Sequence, residues 1–114
     1  LEFAIKTSQL SYLTIFNITD TEASVFFPNG YEKANRLDPV KEYKFPLGQV
    51  EYGLYTDLQN QEINRFVFVF TKSNIPFIKM DKDQVTTEAS IFNWIYSIMP
   101  DQRNVEYFNV IVKK

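Results

Sequence analysis

The acids of Asp81-Lys82-Asp83 have a spacing that could do chemistry, because a D-x-D pair can open an oxygen-ligand calcium loop. The match breaks down within the loop. Val85 stands at the fifth position, no glycine follows Asp83 inside the loop, and Phe92 stands where a bidentate glutamate is needed. The stretch therefore reads as a solvated turn ahead of a helix, and no metal or cofactor is expected. The 14 acids of the chain could also supply a glycosidase pair, which needs two carboxylates about 5–10 Å apart across a cleft. Nothing in the spacing brings two of them together.

Composition excludes the chemistries that need histidine or cysteine. The chain has no histidine and no cysteine. Ser-His-Asp, Cys-His and thiolate-zinc arrangements cannot be built from it. With no catalytic signature present, the chain is read as a binding module and not as an enzyme.

Binding chemistry has two candidate sources. The first is "VFFPNGYEKANRLDP", residues 25–39, in which Asn29, Tyr31, Asn35 and Arg36 could face a ligand. The same residues also satisfy a purely structural account. Asn29, Asn35 and Asp38 can each pin a turn, Gly30 permits positive φ, and Pro28 and Pro39 fix the entry and the exit. Tyr31 and Leu37 would anchor such a loop, and the structural account is preferred. The second source is the aromatic content, 11 Phe, 7 Tyr and 1 Trp. Exposed Tyr31, Tyr43, Tyr52 and Tyr55 could stack on sugars. Phe and Tyr are also good strand residues that fill a core, and most of them stand at alternating positions.

The elements that would position these residues follow from periodicity. "LEFAIK" alternates as a half-buried strand already in progress. Residues 10–18, "LSYLTIFNI", are apolar on both faces and read as a strand covered on both sides. Asp20-Thr21 separates it from "EASVFF" as a hairpin turn. Further strands are expected at residues 41–45, 50–56, 65–71 and 105–112, with Phe66, Phe68 and Phe70 against Val67 and Val69 in the deepest one. The period changes once. Ile91, Trp94, Ile95 and Ile98 share one helical face over residues 86–99, with Thr86 or Thr87 as N-cap and Pro100 as the stop. About seven short strands and one late helix predict a mainly β, antiparallel two-sheet sandwich, Ig-like, with the helix over one edge or end. Leu13, Ile15, Val67, Phe68, Val69 and Val110 are its expected core.

With 114 residues, 45% hydrophobic and 23% charged, the chain suits a single domain over residues 1–114. A net charge of −2 and scattered basic residues give no basis for a nucleic-acid partner. The apolar run at residues 66–70 is far too short for a transmembrane segment. The opening "LEFAIKTS" carries no signal or lipidation motif. The expectation is a processed or excised C-terminal module of a longer precursor, with any export signal upstream.

The residues "YLTIFNI…VFFPNGYEKANRL" followed by "EYKFP" resemble the bacterial domain of unknown function 4384. Its signature of an aromatic-led strand, a hairpin, Phe-Pro-Asn and a second Asn falls here on residues 12–18, Phe27, Pro28, Asn29, Asn35 and Leu37. "RFVFVFTK…IPF" is similar to its penultimate strand. The resemblance implies a C-terminal accessory module in longer bacterial proteins, many of them envelope or lipoprotein-like, and carries over no catalytic residues. The expected function is a non-catalytic interaction module of the cell envelope or extracellular space. Its partner would be another protein or a surface polymer. A carbohydrate-binding module is the alternative, and a small hydrolase with paired carboxylates the third.

Overall fold

The computed structural model describes residues 3–28, 34–45, 61–77 and 86–113. In chain order they form β1 (Phe3–Lys6), β2 (Ser11–Ile18), β3 (Ala23–Phe27), β4 (Arg36–Leu37), β5 (Glu42–Phe45), β6 (Gln61–Thr71), the helix α1 (Glu88–Ser97), a 3-10 turn (Pro100–Gln102) and β7 (Arg103–Lys113). Every pairing is antiparallel. β1 and β5 make a two-stranded sheet, and a five-stranded sheet runs β3-β2-β6-β7 with β4 also on β2. The mainly β fold of two antiparallel sheets, seven strands and one late helix is thus the one expected. The strand expected at residues 50–56 lies outside the described residues, as do Asn29, Tyr31, Tyr52, Tyr55, Asp81 and Asp83.

β2 and β6 are central because both of their faces are apolar. Leu13, Ile15, Phe66 and Phe68 point into one core, shared with Phe27 and Leu37 and roofed by Phe3, Ile5 and Tyr43 of the small sheet. Phe16, Ile18, Val67 and Val69 point the opposite way, against Ile91 and Ile95 of α1. The helix therefore covers the second face of the large sheet, and does not sit over an edge or end of the sandwich as expected. Two strands that are apolar on both sides need cover on both sides, since each exposed CH₂ left in water costs about 0.8 kcal/mol. The result is three layers: small sheet, large sheet, helix.

Of the expected core residues, Leu13, Ile15, Val67, Phe68 and Val69 are all at most 1% exposed. The side chain of Val110 lies outside the described set. A register shift between Ile15 and Phe16 accommodates the run Val25-Phe26-Phe27. Ile15 faces Phe27 while Phe16 faces Val25, so Phe26 is the extra residue of a bulge. Phe26 and Phe27 consequently both pack toward the small sheet, and Val25 toward the helix.

The helix begins as its sequence dictates. Ser90 N donates to Thr87 Oγ1 at 3.0 Å while Thr87 N donates to Ser90 Oγ at 2.9 Å, a reciprocal capping box. It ends earlier than residue 99, at Ser97. Ile98 (ψ 131°) and Met99 (ψ 140°) are already extended, as a residue ahead of proline prefers, and Pro100 opens the 3-10 turn. Ile91, Ile95 and Ile98 are buried, and Trp94 is partly buried with its ring 5.6 Å from those of Phe16 and Phe77.

Candidate functional site

Among the described residues the two sheets are unequal in width, and that inequality leaves a concavity beside β1. Four strand positions span the large sheet, and of the described strands only β5 and β1 lie above them. β1 is seated by Phe3, whose ring centroid is 5.1 Å from Phe66, 5.0 Å from Phe68 and 6.4 Å from Phe108. The Phe3 ring is also 6.4 Å from that of Phe26 in β3, so these edge-to-face and tilted contacts centre β1 over β6. Tyr43 of β5 reaches the opposite side, where its hydroxyl accepts from the backbone N of Asp38 at 2.9 Å.

Register then decides which β7 side chains face up beside β1. Asn104, Glu106 and Phe108 pair with Phe70, Phe68 and Phe66, so they share the phenylalanine face of β6. Between them and β1 lies a groove of about 620 Å³, within the roughly 300–1,000 Å³ usual for ligand sites. Its floor is aromatic (Phe68, Phe70, Phe108), and its rim carries the exposed Lys6 and Lys72. Thr7 contributes a buried Oγ1 that has no hydrogen-bond partner among the described residues. Glu106 is the single carboxylate among the lining residues. Arg103 also borders the groove, but its Nη1 donates to the carbonyl oxygens of Ile95 (3.0 Å) and Ile98 on the helix side. The groove's remaining cations are Lys6 and Lys72, which have no ion-pair partner among the described residues. They are strongly hydrated point charges that suit an exposed anionic partner better than a desolvated one.

The residues singled out from sequence lie elsewhere. Asn35 is half-buried and hydrogen-bonded to β2 through both its side chain and its backbone: Nδ2 donates to Leu13 O at 3.2 Å, and Leu13 N donates to Asn35 O at 2.9 Å. Arg36 is exposed on β4, with Nε 3.5 Å from Asp38 Oδ1. Neither Asn35 nor Arg36 lines the groove; both lie next to β2, where Arg36 pairs with Tyr12. Tyr43, one of four tyrosines considered for sugar stacking, is half-buried with its hydroxyl engaged.

Sequence reasoning missed the groove residues because they come from three separate stretches of chain: residues 3–11, 68–72 and 102–108. Each stretch is ordinary alone. The one legible hint was that "VEYF" leaves Tyr107 and Phe108 adjacent in a strand, so one must face each side. Tyr107 is 59% and Phe108 44% exposed, which marks β7 as an edge and not the doubly covered strand that its apolar faces suggest.

Fold and groove together define a small, mainly β unit with a groove between its two sheets. The chain belongs to the family described as Domain of unknown function (DUF4384), whose model matches residues 1–72. That match spans β1 to β6 and so includes the strand that forms one wall of the groove. Comparison with curated proteins and with solved structures gives no match.

Proposed function

We propose that this chain is a non-catalytic accessory module of a bacterial cell-envelope protein, and that it works by contact with another protein or an envelope polymer through the groove beside β1. The observation that carries this is the groove itself: an aromatic floor, half-exposed at Phe108, within a polar rim. Such a surface gains from covering its rings and gains direction from its rim, the anatomy of a contact site. A paired-carboxylate hydrolase would need a second acid opposite Glu106, and the described lining supplies none. The envelope setting rests on the family resemblance.

Backbone amide spectra of the labelled chain provide the test. Titration with envelope polysaccharide, peptidoglycan fragments and peptides should move the resonances of Lys6, Thr7, Lys72, Asn104 and Glu106 for at least one of these. Turnover of any of them, or shifts confined to another surface, would defeat the proposal.

One observation favours the carbohydrate-binding alternative. Tyr96 and Tyr107 are 69% and 59% exposed, and both lie on the helix side of the large sheet. A glycan titration that shifts these two tyrosines while leaving the groove still would favour it.

A further inference from the structure

We infer that the groove takes an extended peptide as an added strand on β1, with a carboxylate of that peptide at the end marked by Lys6 and Lys72. This rests on the contact-module reading above and names its partner.

Strand spacing comes first. Neighbouring strands lie about 4.8 Å apart, and β1 sits over β6 through the Phe3 contacts with Phe66 and Phe68. The position next to β1, on its side away from β5, therefore lies above the upward face of β7. That position is the groove. Among the described residues the small sheet stops one strand short of covering the large one there, and Phe108 is 44% exposed. Among the described residues β1 pairs with β5 alone, so its other edge offers main-chain donors and acceptors. An extended peptide matches such an edge by its own backbone and lowers alternate side chains onto the floor.

The rim supplies polarity. Lys6, Thr7 and Lys72 gather at the end where β1 and β6 finish, and Phe3 and Phe108 lie toward the other end. A peptide with an apolar residue over Phe108 and an acid near Lys6 and Lys72 fits both ends. Thr7, whose buried Oγ1 has no partner among the described residues, lines the charged end. A polysaccharide could cover the rings as well, but it has no peptide backbone to match the strand edge, so peptide is preferred.

A randomised heptapeptide display library, panned against the intact chain, tests this. Enriched peptides should alternate apolar and polar residues and carry Asp or Glu toward one end. In synthetic versions, N-methylation should abolish binding at alternate positions only, because every second amide faces β1. The double variant Lys6→Glu/Lys72→Glu should weaken the acidic peptides at least tenfold and shift enrichment to Lys and Arg. Phe108→Ser should weaken every enriched peptide while leaving that charge preference intact. Absence of enrichment, tolerance of N-methylation throughout, or indifference to both variants overturns strand addition. If envelope polysaccharide then shifts the groove resonances, the contact-module reading survives without it; if nothing shifts them, both fall.

Discussion

Asn35 Nδ2 donates to the backbone oxygen of Leu13 at 3.2 Å, while Leu13 N donates to the Asn35 backbone oxygen at 2.9 Å. One residue of the polar loop is thus double-tied to the middle of the central strand, where Leu13 is fully buried. An asparagine is suited to this because its amide can donate while its own carbonyl accepts. Asn35→Ala leaves the Leu13 carbonyl short of a donor and should cost about 1–3 kcal/mol, or roughly 4 °C of Tm per kcal/mol. Arg36→Ala next door should stay within about 0.5 kcal/mol, because an exposed ion pair adds little. Thermal melts of the two variants check the contrast. Equal melting of both would mean that the tie does not hold the loop.

Arg103 does for the helix C-terminus what no residue of the helix does. The last turn of α1 has no basic side chain, and Arg103 reaches back from β7 to the carbonyls of Ile95 and Ile98 with its guanidinium 5.4 Å from the centre of the Tyr96 ring. It satisfies the Ile98 carbonyl, shares the Ile95 carbonyl with the Ile98 amide, sets a positive charge at the negative end of the dipole, and pins helix to strand. Arg103→Ala should cost about 1.5–3 kcal/mol, the range for hydrogen bonds to a charged group. Arg103→Lys should recover only part, since an ammonium lacks the planar fork. Urea unfolding measures both, and faster exchange of the Ile98 amide would place the loss at the helix end.

Val40 is the one non-glycine residue with positive φ among those described, at 67°. It follows Pro39, the position that in a type II turn asks for Gly or Asn. An L-residue there costs roughly 1–2 kcal/mol, and a β-branched one is the least suited. The turn is held nonetheless, because Val40 N donates to Thr7 O at 2.8 Å and ties it to the end of β1. Val40 is 68% exposed, so its side chain gives little back. Val40→Asn keeps the N–H and should raise stability by about 1 kcal/mol. A lower Tm for Val40→Asn would refute this account.

How much of this was legible before the coordinates depended on whether a signal was local. The alternation of β2 and β6, the Thr87 cap and the Ile91/Ile95/Ile98 face are each written within a dozen consecutive residues. Those elements appear where expected, with ends moved by a few positions. β6 starts at Gln61 and not at residue 65 because it pairs with β7 along its whole length, and tertiary pairing extends a strand past its apolar stretch. The side of the sheet that the helix would take was not local information. Neither was the groove, which exists because Phe3 seats β1 off-centre on the large sheet. The contacts of one ring with strands distant in sequence fixed it, and no spacing along the chain encodes that.

The last prediction concerns a polar pair inside the sheet. Asn17 Nδ2 donates to Asn64 Oδ1 at 3.0 Å, from β2 to β6, and Asn64 is only 3% exposed. The pair is half satisfied, since Asn17 Oδ1 and Asn64 Nδ2 are buried with no partner among the described residues. Each unmatched buried group costs about 1–3 kcal/mol against roughly 1 kcal/mol returned by the bond that is made. Removing one member should be worse than removing both. Asn64→Leu alone leaves the Asn17 amide with no partner at all and should destabilise by about 1–3 kcal/mol. The double change Asn17→Leu/Asn64→Leu replaces the pair with apolar groups of similar volume and should match or exceed the parent. The coupling in that double-mutant cycle, read from urea unfolding, is therefore expected to be large and favourable to the double variant. Such a pair can still serve by fixing register, because a one-residue slip of β2 on β6 would part the two amides and turn Phe16 and Ile18 to the wrong face. In that case the double variant would melt at a higher temperature yet show extra amide resonances from a second register. If instead the double variant loses as much as the two single changes summed, the asparagines act independently and the pair stabilises nothing as a unit.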